Sequence, residues 1–200
     1  MLAEHLADAR VHLNLLFSDW SNEQPNLWCV DLVEVPLVQG TATYSVDAKT
    51  VMILDAYIRT GSGDSENDRL IMPISRDEYA SYPNKDVQGY SSVFWFDRQI
   101  NPTITLWEVP DATGTYLLRY YRVTQIQDAN LSGGETPNIP YRWLDATVTG
   151  LSARLAAIYA PEKEDKLVLR AEKAWSKAAI QDVENTSGLY ILPTVEGYYR

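Results

Sequence analysis

One cysteine, two histidines and three phenylalanines occur in 200 residues, and each scarcity excludes something. Cys29 has no intrachain partner, so a disulfide framework is ruled out, and packing alone is expected to hold a fold suited to a reducing compartment. Set between Trp28 and Val30, it reads as a core residue rather than a nucleophile. His5 and His12 lie seven residues apart on one amphipathic segment, whereas a helical metal pair uses i,i+4 spacing as in H-E-x-x-H. They read as ordinary helix surface or interface, and no metal is assigned. No apolar run approaches the roughly 18 residues that a bilayer span needs. Met1-Leu2-Ala3-Glu4-His5 lacks the basic and apolar regions of a signal peptide, so no membrane partner is expected. Positive charge is also scarce: 17 Lys and Arg stand against 27 Asp and Glu, a net charge of −10. Tight, sequence-blind nucleic-acid binding needs clustered positive charge, no such cluster is read in this chain, and a role that grips nucleic acid is not expected.

Catalytic signatures are missing as well. There is no G-x-S-x-G and no Walker loop, and Gly61-Ser62-Gly63 is followed by acid rather than by a phosphate-binding lysine. Asp64-Ser65-Glu66-Asn67-Asp68 spaces carboxylates loosely like a calcium loop, but Arg69 stands where the glycine after the third ligand belongs. A solvated surface loop is the better reading. The acidic residues allow many carboxylate pairs of the kind glycosidases use, yet nothing selects one. No catalytic residue and no cofactor is assigned, and the chain is not expected to be an enzyme.

What is present is ordinary globular composition, 46% hydrophobic and 22% charged. Leu2, Leu6, Ala9, Leu13, Leu16, Phe17 and Trp20 recur at steps of three and four and predict an amphipathic helix that Pro25 cannot continue. Segments 30–38, 41–46, 51–59, 69–74, 92–98, 103–109 and 115–126 are rich in Val, Ile, Thr and Tyr and predict strands. Ser75-Arg76-Asp77-Glu78 has the form of a capping box and predicts a short helix over 75–82. Helical periodicity returns in 141–159, where Leu144, Val148, Leu151, Leu155 and Ile158 form one stripe. After Pro161 it continues through 162–184, with Leu167, Ala171, Ala174, Trp175 and Ala178 on one side and Glu162 placed to pair with Lys166. The expected class is α+β: long N-terminal and C-terminal helices forming a bundle, a central antiparallel sheet or sandwich, and an extended C-terminal arm. By domain, 1–29 and 140–184 make the bundle, 30–139 the β-rich unit, and 185–200 the arm.

Six tryptophans and thirteen tyrosines are the unusual feature, because both suit surfaces that are apolar yet keep a polar handle. Trp20, Trp28, Trp107, Trp143 and Trp175 read as core. Beyond the last helix, Leu189-Tyr190-Ile191-Leu192-Pro193 and Tyr198-Tyr199-Arg200 are too apolar for a solvated terminus and read as a docking arm.

Four pieces then carry a resemblance. They are Leu13-Asn14-Leu15-Leu16-Phe17-Ser18-Asp19-Trp20-Ser21 with Asn26-Leu27-Trp28, and Pro73-Ile74-Ser75-Arg76-Asp77-Glu78-Tyr79 with Gly89. The others are Leu106-Trp107-Glu108-Val109-Pro110-Asp111 before the strand from Tyr116 to Arg122, and Pro140-Tyr141-Arg142-Trp143 leading to Leu155-Ala156 and Ala160-Pro161. In this order the chain resembles the head-to-tail adaptors of short-tailed phages, the group of tail tubular protein A and the packaged-DNA stabilisation proteins. Tyr90 and Glu108 depart from many relatives, which carry proline there. The resemblance implies a structural virion protein at the head–tail junction, a ring commonly of twelve copies docked beneath the portal. Such a ring closes the DNA-filled head and offers a platform to the tail nozzle or hub. It also implies that the arm, with Leu189, Tyr190, Ile191, Leu192, Tyr198, Tyr199 and Arg200, reaches portal subunits. Genomic DNA would pass the acidic wall without tight binding. The alternative reading is a carbohydrate- or receptor-binding β-sandwich module of a virion, which explains the tryptophans but not the three long helices.

Overall fold

The computed structural model describes residues 3–23, 26–61, 63–113, 116–128 and 137–183. Helix α1 (Ala3–Glu23) leads through a short turn at Leu27–Cys29 into strand β1 (Val30–Pro36). There follow β2 (Thr43–Ser45), β3 (Thr50–Thr60), β4 (Asn67–Pro73) and the short helix α2 (Arg76–Ser81). Strands β5 (Gln88–Gly89), β6 (Val93–Asp97), β7 (Thr103–Trp107), β8 (Val109–Pro110) and β9 (Tyr116–Thr124) complete the β region. Helices α3 (Leu144–Tyr159) and α4 (Glu164–Gln181) close the described chain. The class is therefore α+β, as the alternation of periods predicts. The expected capping box is present, with the Glu78 N–H donating to the Ser75 hydroxyl at 3.1 Å.

Seven strands form one curled sheet in the order β1-β9-β3-β4-β6-β7-β2. Most neighbours are antiparallel, but β4 pairs with β6 in parallel, as β5 does with β8 in a separate small ribbon. The run predicted as one strand over 103–109 is two, β7 and β8, which pair with different partners. Alternation along the strands sends Ala56, Ile58, Ile71, Leu118 and Tyr120 inward from one half of the sheet. Phe94, Ile104 and Leu106 of the other half close over them as a single core.

A second core joins the helices to the end of β9. Leu16, Phe17 and Trp20 of α1 pack with Ile126, Trp143, Ala146 and the α4 residues Ala174 and Ala178. Trp143, fully buried, meets Trp20 at a ring distance of 5.1 Å and Trp28 at 4.8 Å, both tilted, the geometry that aromatic quadrupoles favour. The Thr124 hydroxyl donates to the Cys29 carbonyl at 3.0 Å, tying the sheet to the segment between α1 and β1. Trp107, expected in the core, is only half-buried: it stacks on Tyr82 and donates its indole N–H to the Asn84 carbonyl.

Candidate docking surfaces

Helix α3 has two unlike faces. Ala146, Thr149, Gly150, Ala153 and Ala156 are buried against the neighbouring helices. Their size is what permits the approach: a Cβ on Gly150 would sit 2.9 Å from Leu16 Cδ2 of α1. The large aliphatics Leu144, Val148, Leu151, Leu155 and Ile158 lie on the opposite side, and Leu144, Val148 and Ile158 are about half exposed, at 51%, 56% and 51%. The stripe that periodicity singles out is thus not the face that packs within the chain. Close helix–helix contact selects small residues, which leaves the long side chains pointing outward.

On the packed side, α1 and α4 flank α3 and leave a groove of about 470 Å³ between them. Ala146, Gly150 and Ala153 lie along α3 in this groove, with Leu16 and Trp20 on one wall and Ala171 and Trp175 on the other. Asp19, Glu23, Glu172 and Arg154 also line it, and Arg154 is paired with Asp19 at 2.7 Å.

At the end of α4, Asp182 is wholly buried at its side chain and holds two distant pieces together. It accepts the Leu27 N–H at 3.1 Å and pairs with Arg142, whose Nε lies 3.2 Å away. The arm residues Leu189, Tyr190, Ile191, Leu192, Tyr198, Tyr199 and Arg200 lie outside the described residues.

The outer face of the sheet mixes apolar and charged side chains, with Arg59, Asp68, Arg119 and Glu34 among them. Leu70 and Met72 are more than half exposed there, and Tyr57 and Tyr121 lie side by side at 6.5 Å. Arg119 covers Tyr57 from 5.6 Å and is bridged to Glu34 at 2.5 Å.

The residues weighed for chemistry have structural surroundings. Burial, with the nearby Asp182 carboxylate, pushes the Cys29 thiol up to about 11, so at neutral pH it carries no nucleophilic thiolate. The His5 ring meets Tyr159 edge-on at 4.8 Å. In the acidic loop, Glu66 and Asp68 both pair with Arg59 at 2.6 Å, and that guanidinium holds the Asp68 carboxyl below its usual range. Among the described residues no group of three or more His, Cys, Asp and Glu is placed to hold a metal, and no helix is long and apolar enough to cross a membrane. Glu162 pairs with Lys163 at 3.9 Å rather than with Lys166 as the spacing predicts. Lys166, Arg170, Lys173 and Lys177 line up on one exposed side of α4, which corrects the expectation of no basic cluster: helical steps bring together cations that lie apart in the sequence.

No curated protein matches the chain. The family described as SU10 adaptor protein matches residues 2–191, nearly the whole length and all four pieces of the resemblance. The chain accordingly belongs to the SU10 adaptor family of phage structural adaptor proteins.

Proposed function

We propose that the chain forms a homo-oligomeric ring of twelve copies beneath the portal of a podovirus-like phage. There it closes the DNA-filled head and serves as the platform for the tail nozzle or hub. The observation that carries this reading is the family match over residues 2–191. Its physical support is the half-exposed aliphatic stripe of α3, because exposed apolar surface of this kind marks protein interfaces. The segment 185–200 acts as the portal-docking arm. Leu189, Ile191 and Leu192 fill pockets on the portal, Tyr190, Tyr198 and Tyr199 are aromatic anchors, and Arg200 ends the contact. A ring of linked copies strengthens each weak arm contact through effective concentration.

Deletion of 185–200 tests the proposal. The truncated chain is expected to keep its circular dichroism spectrum while heads leak DNA and carry no tail. Full occupancy of portals by the truncated chain would show that the arm has no docking role.

A further inference from the structure

The helical layer is electrically two-sided. On α1, Asp19 and Glu23 line the groove, and Glu4 and Asp8 share their side of the helix. On α4, Glu172 lines the groove from the other wall, with Asp165 two turns earlier on the same side. Arg154 neutralises Asp19 there, so the groove side is net acidic through Glu23 and Glu172 around a floor of small residues. The reverse holds on the other side of the α3–α4 hairpin. Lys166, Arg170, Lys173 and Lys177 recur there at steps of four, three and four, all exposed and none in an ion pair among the described residues. Lys177 lies beside Asp145 at the start of α3, so the basic row runs along the aliphatic stripe.

We propose that this basic and aliphatic side seats on the acidic groove side of a second copy of the same chain. The ridge of Leu144, Val148, Leu151, Leu155 and Ile158 enters the groove between α1 and α4 of its neighbour. Lys166, Lys173 and Lys177 then face Glu23 and Glu172 across the contact. The two surfaces are different sides of one layer, so the contact is head-to-tail and propagates from copy to copy until the rotation closes a ring. The inference rests on the ring reading and names the faces that build it. Aliphatic burial supplies affinity, while the charges fix register and orientation. A nucleic acid is the poorer occupant, because a phosphate backbone would satisfy the lysines but leave the aliphatic ridge uncovered.

Zero-length carbodiimide cross-linking of intact virions, read by mass spectrometry, tests this on the unmodified chain. Expected is a ladder of multimers in which Lys173 and Lys177 are joined to Glu23 of another copy. Glu23 lies on the groove side of α1, opposite the basic row of α4, so these links are expected in the multimer bands and not in the monomer band. A ladder whose links all lie elsewhere would overturn the proposed faces and leave the ring reading standing. Monomers alone would remove both. In parallel, the exposed-face variant Lys166→Glu/Lys173→Glu/Lys177→Glu should keep its fold but assemble at least tenfold more weakly. Adding Glu23→Lys and Glu172→Lys should restore assembly. Undiminished rings in the triple variant, or duplex DNA retarded through these lysines, would equally overturn the inference.

Discussion

Asp182 is the residue whose replacement reads the helical packing most directly. Asparagine keeps its shape, and the amide oxygen can still accept the Leu27 N–H now held at 3.1 Å. The amide nitrogen then faces the Arg142 guanidinium, donor against donor, in place of the present ion pair. A hydrogen bond to a charged group contributes about 1.5–3 kcal/mol, and leaving a buried donor unsatisfied costs about as much. Arg142 is 41% exposed at its side chain, so water replaces part of what it loses. The expected net loss for Asp182→Asn is therefore about 2 kcal/mol. For a chain of 200 residues that lowers Tm by about 4–8 °C. Arg142→Ala should cost more, about 3–5 kcal/mol, because it strands a buried carboxylate with only the Leu27 N–H. The double variant should cost less than the sum, since the two residues act as one unit. Urea unfolding followed by tryptophan fluorescence measures all three. A loss under about 0.5 kcal/mol for Asp182→Asn, or strict additivity, would refute the clamp as the element that joins α4 to the segment after α1.

Other expectations follow from the same geometry. The folded state holds the Cys29 proton more tightly than the unfolded chain, raising the thiol from 9.0 to about 11. Its contribution to stability is therefore complete below about pH 9 and is lost as pH rises towards 11, and iodoacetamide labelling at pH 8–9 should be far slower in folded than in denatured protein. Asp182→Asn should bring the thiol down only partly, because burial is the larger cause. Gly150→Leu should push α1 off α3 at a cost of about 1–3 kcal/mol or more, seen as a lower Tm and altered fluorescence from Trp20 and Trp143. With a net charge of −10, the isolated chain should not retard duplex DNA at about 0.15 M salt; sub-micromolar affinity in a gel shift would contradict the reading of a wall past which DNA slides.

How much of this was legible differs by element. The cap at Ser75 and the central strands are local and follow from residue type and period. The parallel pairing of β4 with β6 is non-local, and no periodicity encodes a partner. On α3, periodicity marks Leu144, Val148, Leu151, Leu155 and Ile158 correctly as one apolar stripe but cannot say which molecule covers it. The face that packs is announced only by small size, at Gly150 and Ala153. Asp182 meets Leu27 across 155 residues, and a lone aspartate at a helix end gives no sign that it is buried. The basic row of α4 is legible in helical steps, yet it disappears when charge is summed along an acidic chain.

Electron cryomicroscopy of the head–tail junction in intact virions is the most direct measurement. It should show a closed ring of this α+β fold between portal and tail, with density for the C-terminal segment lying on portal subunits. The same fold found only at the tail tip or on receptor-binding fibres, with the junction built from another protein, would contradict the adaptor-ring proposal.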